Sequence, residues 1–401
     1  MLNKLPRSRW IALAVLVTLI LVCSAVFLNN SEHRKLTEKA APAPKRPPHL
    51  VGHSKCAACH PEIAEEHALS GHSATFSLTS EWDLSDKLHG RMITSKNGEE
   101  YKYTSDSQGL AVALPKRFGN RLFPLDYALG SGKHAVTFLT LLQEPDGETI
   151  AIESAHTWFH SDDQLHPTPG QSSHIASRDV EFFGKIFRQD VMRDCINCHT
   201  TSAVVGVGKI NNLVAGVQCE RCHGPGSNHV TAAEAGDIES AVKFIKRHST
   251  ADEEIAACGQ CHRMPDTIEP ERLARYPDSL VRFQPVGLLM SRCYTESPGT
   301  LKCSTCHDPH ADPTKTSLDD HTRRCVSCHQ GTTATHCPQS PADDCIRCHM
   351  PQIPLVRDIA FHDHWIRIRK PAQRTPESKK NTEHSARKEE FHTPSTPHAD
   401  N

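Results

Sequence analysis

Apolar and polar positions divide the chain into stretches of different character. From Trp10 to Leu28 it is almost unbroken apolar sequence, preceded by Lys4, Arg7 and Arg9 and followed by polar residues from Asn29. A bilayer-spanning helix takes about 20 apolar residues, so residues 1–30 predict an uncleaved transmembrane signal-anchor whose cationic start stays in the cytoplasm. A cleaved signal peptide ending near Cys23, Ser24 and Ala25 is the competing reading. Residues 31–50, with Pro42, Pro44, Pro47, Pro48 and several charges, read as a flexible stalk. Alternation then appears in Glu100–Thr104, Leu110–Leu114, Ala135–Leu141 and Thr149–Glu153, interrupted by the turn signals Asn97-Gly98, Gly119-Asn120 and Asp146-Gly147. These predict a small antiparallel β element within residues 51–194. Ala232–Arg247 and Asp252–Cys258 have helical composition inside a region, 195–370, that otherwise reads as short helices and loops. The chain from 371 to 401 is polar, rich in Lys, Glu, Pro and Ser, and reads as a disordered tail.

Composition makes an ordinary core inadequate. Of 401 residues, 37% are hydrophobic and 5% aromatic, and the mean hydropathy is −0.49. Side chains alone bury little in such a chain. A formal charge of −2 gives no basic excess and argues against a nucleic-acid partner.

The cysteines explain what fills the interior. Cys-x-x-Cys-His occurs seven times: Cys56, Cys59 and His60; Cys195, Cys198 and His199; Cys219, Cys222 and His223; Cys258, Cys261 and His262; Cys303, Cys306 and His307; Cys325, Cys328 and His329; Cys345, Cys348 and His349. With 17 Cys and 28 His, composition alone gives about 0.05 occurrences. Two thiols three residues apart can add to the two vinyl groups on one edge of a haem, and the next residue brings its imidazole beneath the iron. Zinc also uses Cys-x-x-Cys pairs, but does not require a His after every second Cys. Seven covalently attached c-type haems are therefore expected, in a mostly α and irregular fold packed around haem, with a small antiparallel β insertion between the first and second haem sites. The first site stands far from the second, while the other six crowd between Cys195 and His349. That spacing predicts one outlying haem and a contiguous run of six.

Each iron also needs a sixth ligand. A second His suits electron transfer, Met raises the potential, and an open position invites substrate. Only six Met are present against the large His surplus, so mostly bis-His ligation follows. Context points to His229 and His310, each just after a haem motif, then to His72 and His364, with His67 and His362 as their near rivals. His134, His321, His336 and His174 complete the candidates.

At these residues the sequence resembles the multihaem cytochrome c family related to cytochrome c-554, including the cytochrome c-552/4-like and doubly haem-bearing CxxCH proteins. The resemblance rests on Val51-Gly-His-Ser-Lys-Cys-Ala-Ala-Cys-His60-Pro, Ser70-Gly-His72, Gly130-Ser-Gly-Lys-His134, Cys219-Glu-Arg-Cys-His-Gly-Pro-Gly-Ser-Asn-His229, Cys303-Ser-Thr-Cys-His-Asp-Pro-His310 and Cys345-Ile-Arg-Cys-His-Met-Pro. It implies a periplasmic electron carrier and supports His72, His229, His310 and His364 as distal ligands. No tetratricopeptide array follows the haem run.

Covalent haem attachment and the cationic, apolar start agree on export, so the expected location is the periplasmic side of the inner membrane. The expected partners are quinol-linked proteins or other cytochromes. Cys293 and Cys337 lie outside every motif. In an oxidising compartment leftover thiols pair, so a Cys293–Cys337 disulfide is one expectation and two buried free thiols the other. The alternative function is a multihaem oxidoreductase acting on small nitrogen or sulfur oxyanions at one five-coordinate haem. All seven motifs end in His, and Tyr294, the Tyr nearest a haem motif in the run, reads as packing, so an electron carrier with no catalytic residue is the preferred reading.

Overall fold

The computed structural model describes residues 47–171, 173–329, 337, 345–357 and 359–369. The expected anchor, most of the expected stalk, His336 and the tail fall outside the described residues. Among the described residues, no helix is long and apolar enough to cross a membrane.

The chain forms two units. Among the described residues, the smaller takes residues 47–49 together with Pro225–Ile245; the larger takes Leu50–Gly224 and the described residues from Lys246 on. In the smaller unit, helices Ser227–Glu234 and Ile238–Phe244 replace the single helix expected from Ala232 to Arg247. Gly236 breaks it with φ 77°, a left-handed conformation in which a side chain is strained. Asp237 then restarts the helix by accepting a hydrogen bond from Ser240 N at 3.0 Å.

The larger unit is built on antiparallel sheet. A four-stranded meander contains β2 (Met92–Thr94), β3 (Glu100–Asp106), β4 (Gly109–Ala113) and β5 (Leu122–Leu125), paired in that order. A seven-stranded sheet runs β1 (Phe76–Leu78), β6 (Tyr127–Leu129), β7 (Ala135–Gln143), β8 (Thr149–Ser154) and β11 (Gly184–Arg188), with β9 (His156–Phe159) on β7 and β10 (Gln164–Pro167) on β9. Two hairpins follow: β12 (Thr200–Val205) with β13 (Ile210–Ala215), and β14 (Gln352–Val356) with β15 (Ile359–His362).

Period-two alternation gives β7 two buried faces. Val136 and Phe138 join Tyr103, Val112, Leu125, Ile152 and Trp158 in a core between the two large sheets. Leu139 and Leu141 point the other way, into a second core with Phe76, Tyr127, Met192 and Ile196. Met192 and Ile196 lie one helical turn apart on helix Gln189–His199, and each fully buried apolar side chain of this kind contributes about 1.5–3 kcal/mol. The sheet thereby fixes the helix that carries the second Cys-x-x-Cys-His.

This architecture corrects the expected fold class. The alternating segments do form β3, β4, β7 and β8, but the sheet is not a small insertion in a mostly α protein. Fifteen strands in four antiparallel sheets are present among the described residues. Most of the additional strands, such as β1, β2, β5, β6, β9 and β10, are three or four residues long, too short to display periodicity, and pairing with longer neighbours holds them extended.

Candidate haem sites

Every motif lies on a helical turn. The turns are His53–Ala57, the ends of Gln189–His199, Ala251–His262 and Leu318–Cys328, and the short helices Cys219–His223, Cys303–Cys306 and Cys345–His349. The backbone closes in the same way at three of them, the His N–H donating to the carbonyl of the first Cys: His60 to Cys56 at 2.8 Å, His307 to Cys303 at 2.9 Å and His329 to Cys325 at 3.1 Å. A helical turn places residues three apart on one face, so both sulfurs of each motif are presented together. The longer helices are fixed at their starts: Thr250 and Glu253 form a capping box for Ala251–His262, as Ser317 and Asp320 do for Leu318–Cys328.

Four of the motif imidazoles are held through Nδ1. His199 bonds the Thr75 carbonyl at 3.1 Å, His223 that of Lys246 at 3.0 Å, His262 the Gln284 Oε1 at 2.9 Å and His349 the Arg367 carbonyl at 3.1 Å. Among the distal candidates, His229 bonds the Ala241 carbonyl and His364 that of His362, both at 2.9 Å. An oxygen can only accept, so Nδ1 carries the hydrogen and Nε2 keeps its lone pair, the usual outer-shell arrangement of a metal-ligating histidine. Burial favours the neutral ring that ligation requires. It lowers the pKa of His199, His262 and His364, and it takes His307 down to about 4, helped by the neighbouring His364 and His321.

The rings also meet in pairs. His223 and His310 stand 6.0 Å apart between ring centres, His262 and His72 6.3 Å, and His307 and His364 6.2 Å. Metal–imidazole bonds are about 2.0–2.1 Å. Two of them on opposite sides of one iron, plus the distance from each nitrogen to its ring centre, give a separation of about 6 Å, so the residues present fit a c-type haem with two axial histidines. His321 lies closer to His307, at 5.4 Å. His362 has both nitrogens engaged, Nδ1 with the Met350 carbonyl at 2.6 Å and Nε2 with Gln352 Nε2 at 3.3 Å, which favours His364 over this rival. His174 Nε2 bonds the Glu181 carbonyl at 3.3 Å. His134 is exposed just before β7, with no facing imidazole among the described residues. His67, the rival of His72, is buried opposite His53 with ring centres 6.4 Å apart. The sequence reading missed that pairing; His53 lies three residues before Cys56, the signal that could have drawn attention to it.

The cysteines show how the sites are ordered in space. The Cys56 side chain contacts that of Cys219, Cys198 contacts Cys261, and Cys258 contacts Cys303. Helix Cys303–Cys306 packs on Leu318–Cys328, and the latter on Cys345–His349. Cys222 is within electrostatic reach of Cys258 and Cys261, as is Cys325 of Cys345. The first site is therefore not an outlier. The chain loops out through its sheets and returns, setting the first motif beside the third, while the second lies against the fourth. Glu220 secures the return by accepting from Val51 N at 2.9 Å and Gly52 N at 2.9 Å. The expected Cys293–Cys337 disulfide is absent, and both residues are half-buried free thiols. Cys293 instead lies in the surroundings of Cys306 and Cys325.

A family model described as cytochrome c554 and c-prime matches residues 165–224, the stretch that holds the second and third motifs. Over that stretch the chain is similar to the multihaem c-type cytochromes. Among solved structures, the chain is similar to the outer cell wall cytochrome OcwA, with a TM-score of 0.48, 15% sequence identity and 79% of each chain covered. No curated protein matches it. That likeness implies covalently bound c-type haem and suggests other cytochromes as redox partners.

Proposed function

We propose that the chain is a membrane-anchored, periplasmic heptahaem cytochrome that carries electrons through mostly bis-His sites. Haem supplies reversible one-electron chemistry when bound. The chain's residues set the attachment points, the axial ligands and the distances between neighbouring sites. The observation that carries the reading is the continuity of those sites: first to third, third to fourth, then fifth, sixth and seventh, with the second branching from the fourth. Tunnelling falls steeply with distance, so this close approach of neighbouring attachment turns is what a carrier requires.

In this reading His310 completes the third site opposite His223, His72 the fourth opposite His262, and His364 the fifth opposite His307. The apolar segment from Trp10 to Leu28 supplies the anchor, and quinol-linked proteins or other cytochromes supply and take the electrons. Intact-mass analysis and electron paramagnetic resonance test the proposal together. Seven haem additions and seven low-spin ferric centres are expected. Fewer additions, or a strong high-spin signal from an open iron, would overturn it.

A further inference from the structure

Asp363 directly precedes His364 and is completely inaccessible to solvent. Its Oδ1 accepts from Tyr276 Oη at 2.5 Å and Trp365 N at 2.9 Å; its Oδ2 accepts from Arg367 Nη1 at 3.1 Å and from Arg369. A carboxylate taken out of water is strongly penalised unless it is paired and hydrogen-bonded. Here four donors from two separate parts of the chain compensate it.

The same carboxylate holds two imidazoles from different sites. On one side, the backbone at His364 is fixed between Asp363 and Ser291: Ser291 Oγ donates to the His364 carbonyl at 2.9 Å and accepts from Ile366 N at 2.8 Å. With its Nδ1 bonded to the His362 carbonyl, the His364 ring has a defined direction toward His307. On the other side, the Arg367 guanidinium is held by Asp363, by the Trp365 carbonyl at 2.9 Å and by the Trp365 ring at 3.8 Å. The Arg367 carbonyl is the acceptor for Nδ1 of His349, in the seventh motif. The segment leaves little room to adjust: a Cβ on Gly287 would overlap the Tyr276 hydroxyl and approach Trp365 N to 2.5 Å.

We propose that Asp363 is a positioning residue shared by the fifth and seventh sites, orienting His364 directly and His349 through Arg367, and that its buried charge holds down the potentials of both. The proposal rests on the bis-His carrier reading. Outer-shell hydrogen bonds and nearby charge are established levers on haem potential. A negative charge favours the ferric over the ferrous state, so its removal raises the potential.

The test is spectropotentiometry with electron paramagnetic resonance on the full-length, haem-loaded protein and its Asp363→Asn, Asp363→Glu and Tyr276→Phe variants. Two of the seven potentials are expected to rise together in Asp363→Asn, two low-spin signals to shift with them, Asp363→Glu to restore most of both, and Tyr276→Phe to reproduce a smaller part. A uniform shift of all centres, a shift of only one, or no shift would overturn the shared clamp. Arg367→Gln provides a second route if Asp363→Asn does not assemble: it must perturb the seventh centre, and an unchanged signal there overturns the proposal. An unaltered protein lacking seven low-spin centres would remove the underlying reading and the clamp with it, whereas seven low-spin centres insensitive to these variants would remove only the clamp.

Discussion

His223 and His310 face each other with ring centres 6.0 Å apart and planes inclined by 8°. They are too far apart for face-to-face contact and correctly spaced for opposite sides of one metal. Replacing His310 by Ala should open one iron while its proximal His223 remains. One low-spin ferric signal is expected to disappear and one high-spin signal to take its place, and unchanged low-spin intensity would show that another residue completes the site.

Glu220 joins the first motif's approach to the third motif. Its carboxylate is the acceptor for two backbone N–H groups, those of Val51 and Gly52. A buried donor left without a partner costs about 1–3 kcal/mol. Glu220→Ala should therefore lower the urea midpoint and speed proteolysis near residue 51, while Glu220→Gln, which keeps an acceptor oxygen, should have the smaller effect. Equal behaviour of the two variants would mean that these bonds do not secure the segment.

The helix bearing the second motif depends on the sheet beneath it. Ile196 is fully buried against that sheet, and truncating such a residue costs about 2–5 kcal/mol. Ile196→Ala should unfold at lower denaturant and carry substoichiometric haem at Cys195 and Cys198, as peptide mass analysis would show. Full occupancy with an unchanged midpoint would contradict this dependence.

His156 provides a pH-dependent contribution away from the haem sites. Burial lowers its pKa to about 4, and Tyr103 Oη lies 2.9 Å from its Nδ1. An unfolded histidine titrates near 6.5. Between about pH 6.5 and 4 the unfolded chain binds a proton that the folded one does not, so stability is complete above this window and falls as pH drops through it, by up to about 1.4 kcal/mol per pH unit. His156→Gln should flatten the pH dependence of the urea midpoint in that window, and an unaltered slope would exclude His156 as its source.

The chemistry was legible because it is local. A Cys-x-x-Cys-His spans one helical turn, so its seven copies, both cysteines of each and the His that follows can be read without a fold. The longest strands were legible for the same reason: Ala135–Leu141 alternates over enough residues to declare itself. The three-residue β1 and β6 do not, because their extended form comes from partners distant in sequence. The sequence preferred His364 and kept His362 as a near rival, since only tertiary contacts show that Gln352 and the Met350 carbonyl engage His362.

The sequence by itself therefore determined which residues are candidates to attach and ligate haem, and it did so through spacing within a turn. It did not determine how the sites are ordered in space. Linear distance suggested one outlying site before a run of six, but Cys56 lies against Cys219 and Cys198 against Cys261. Only the tertiary structure decided this, because the intervening chain buries its apolar residues in sheet cores of its own and returns the first motif to the third.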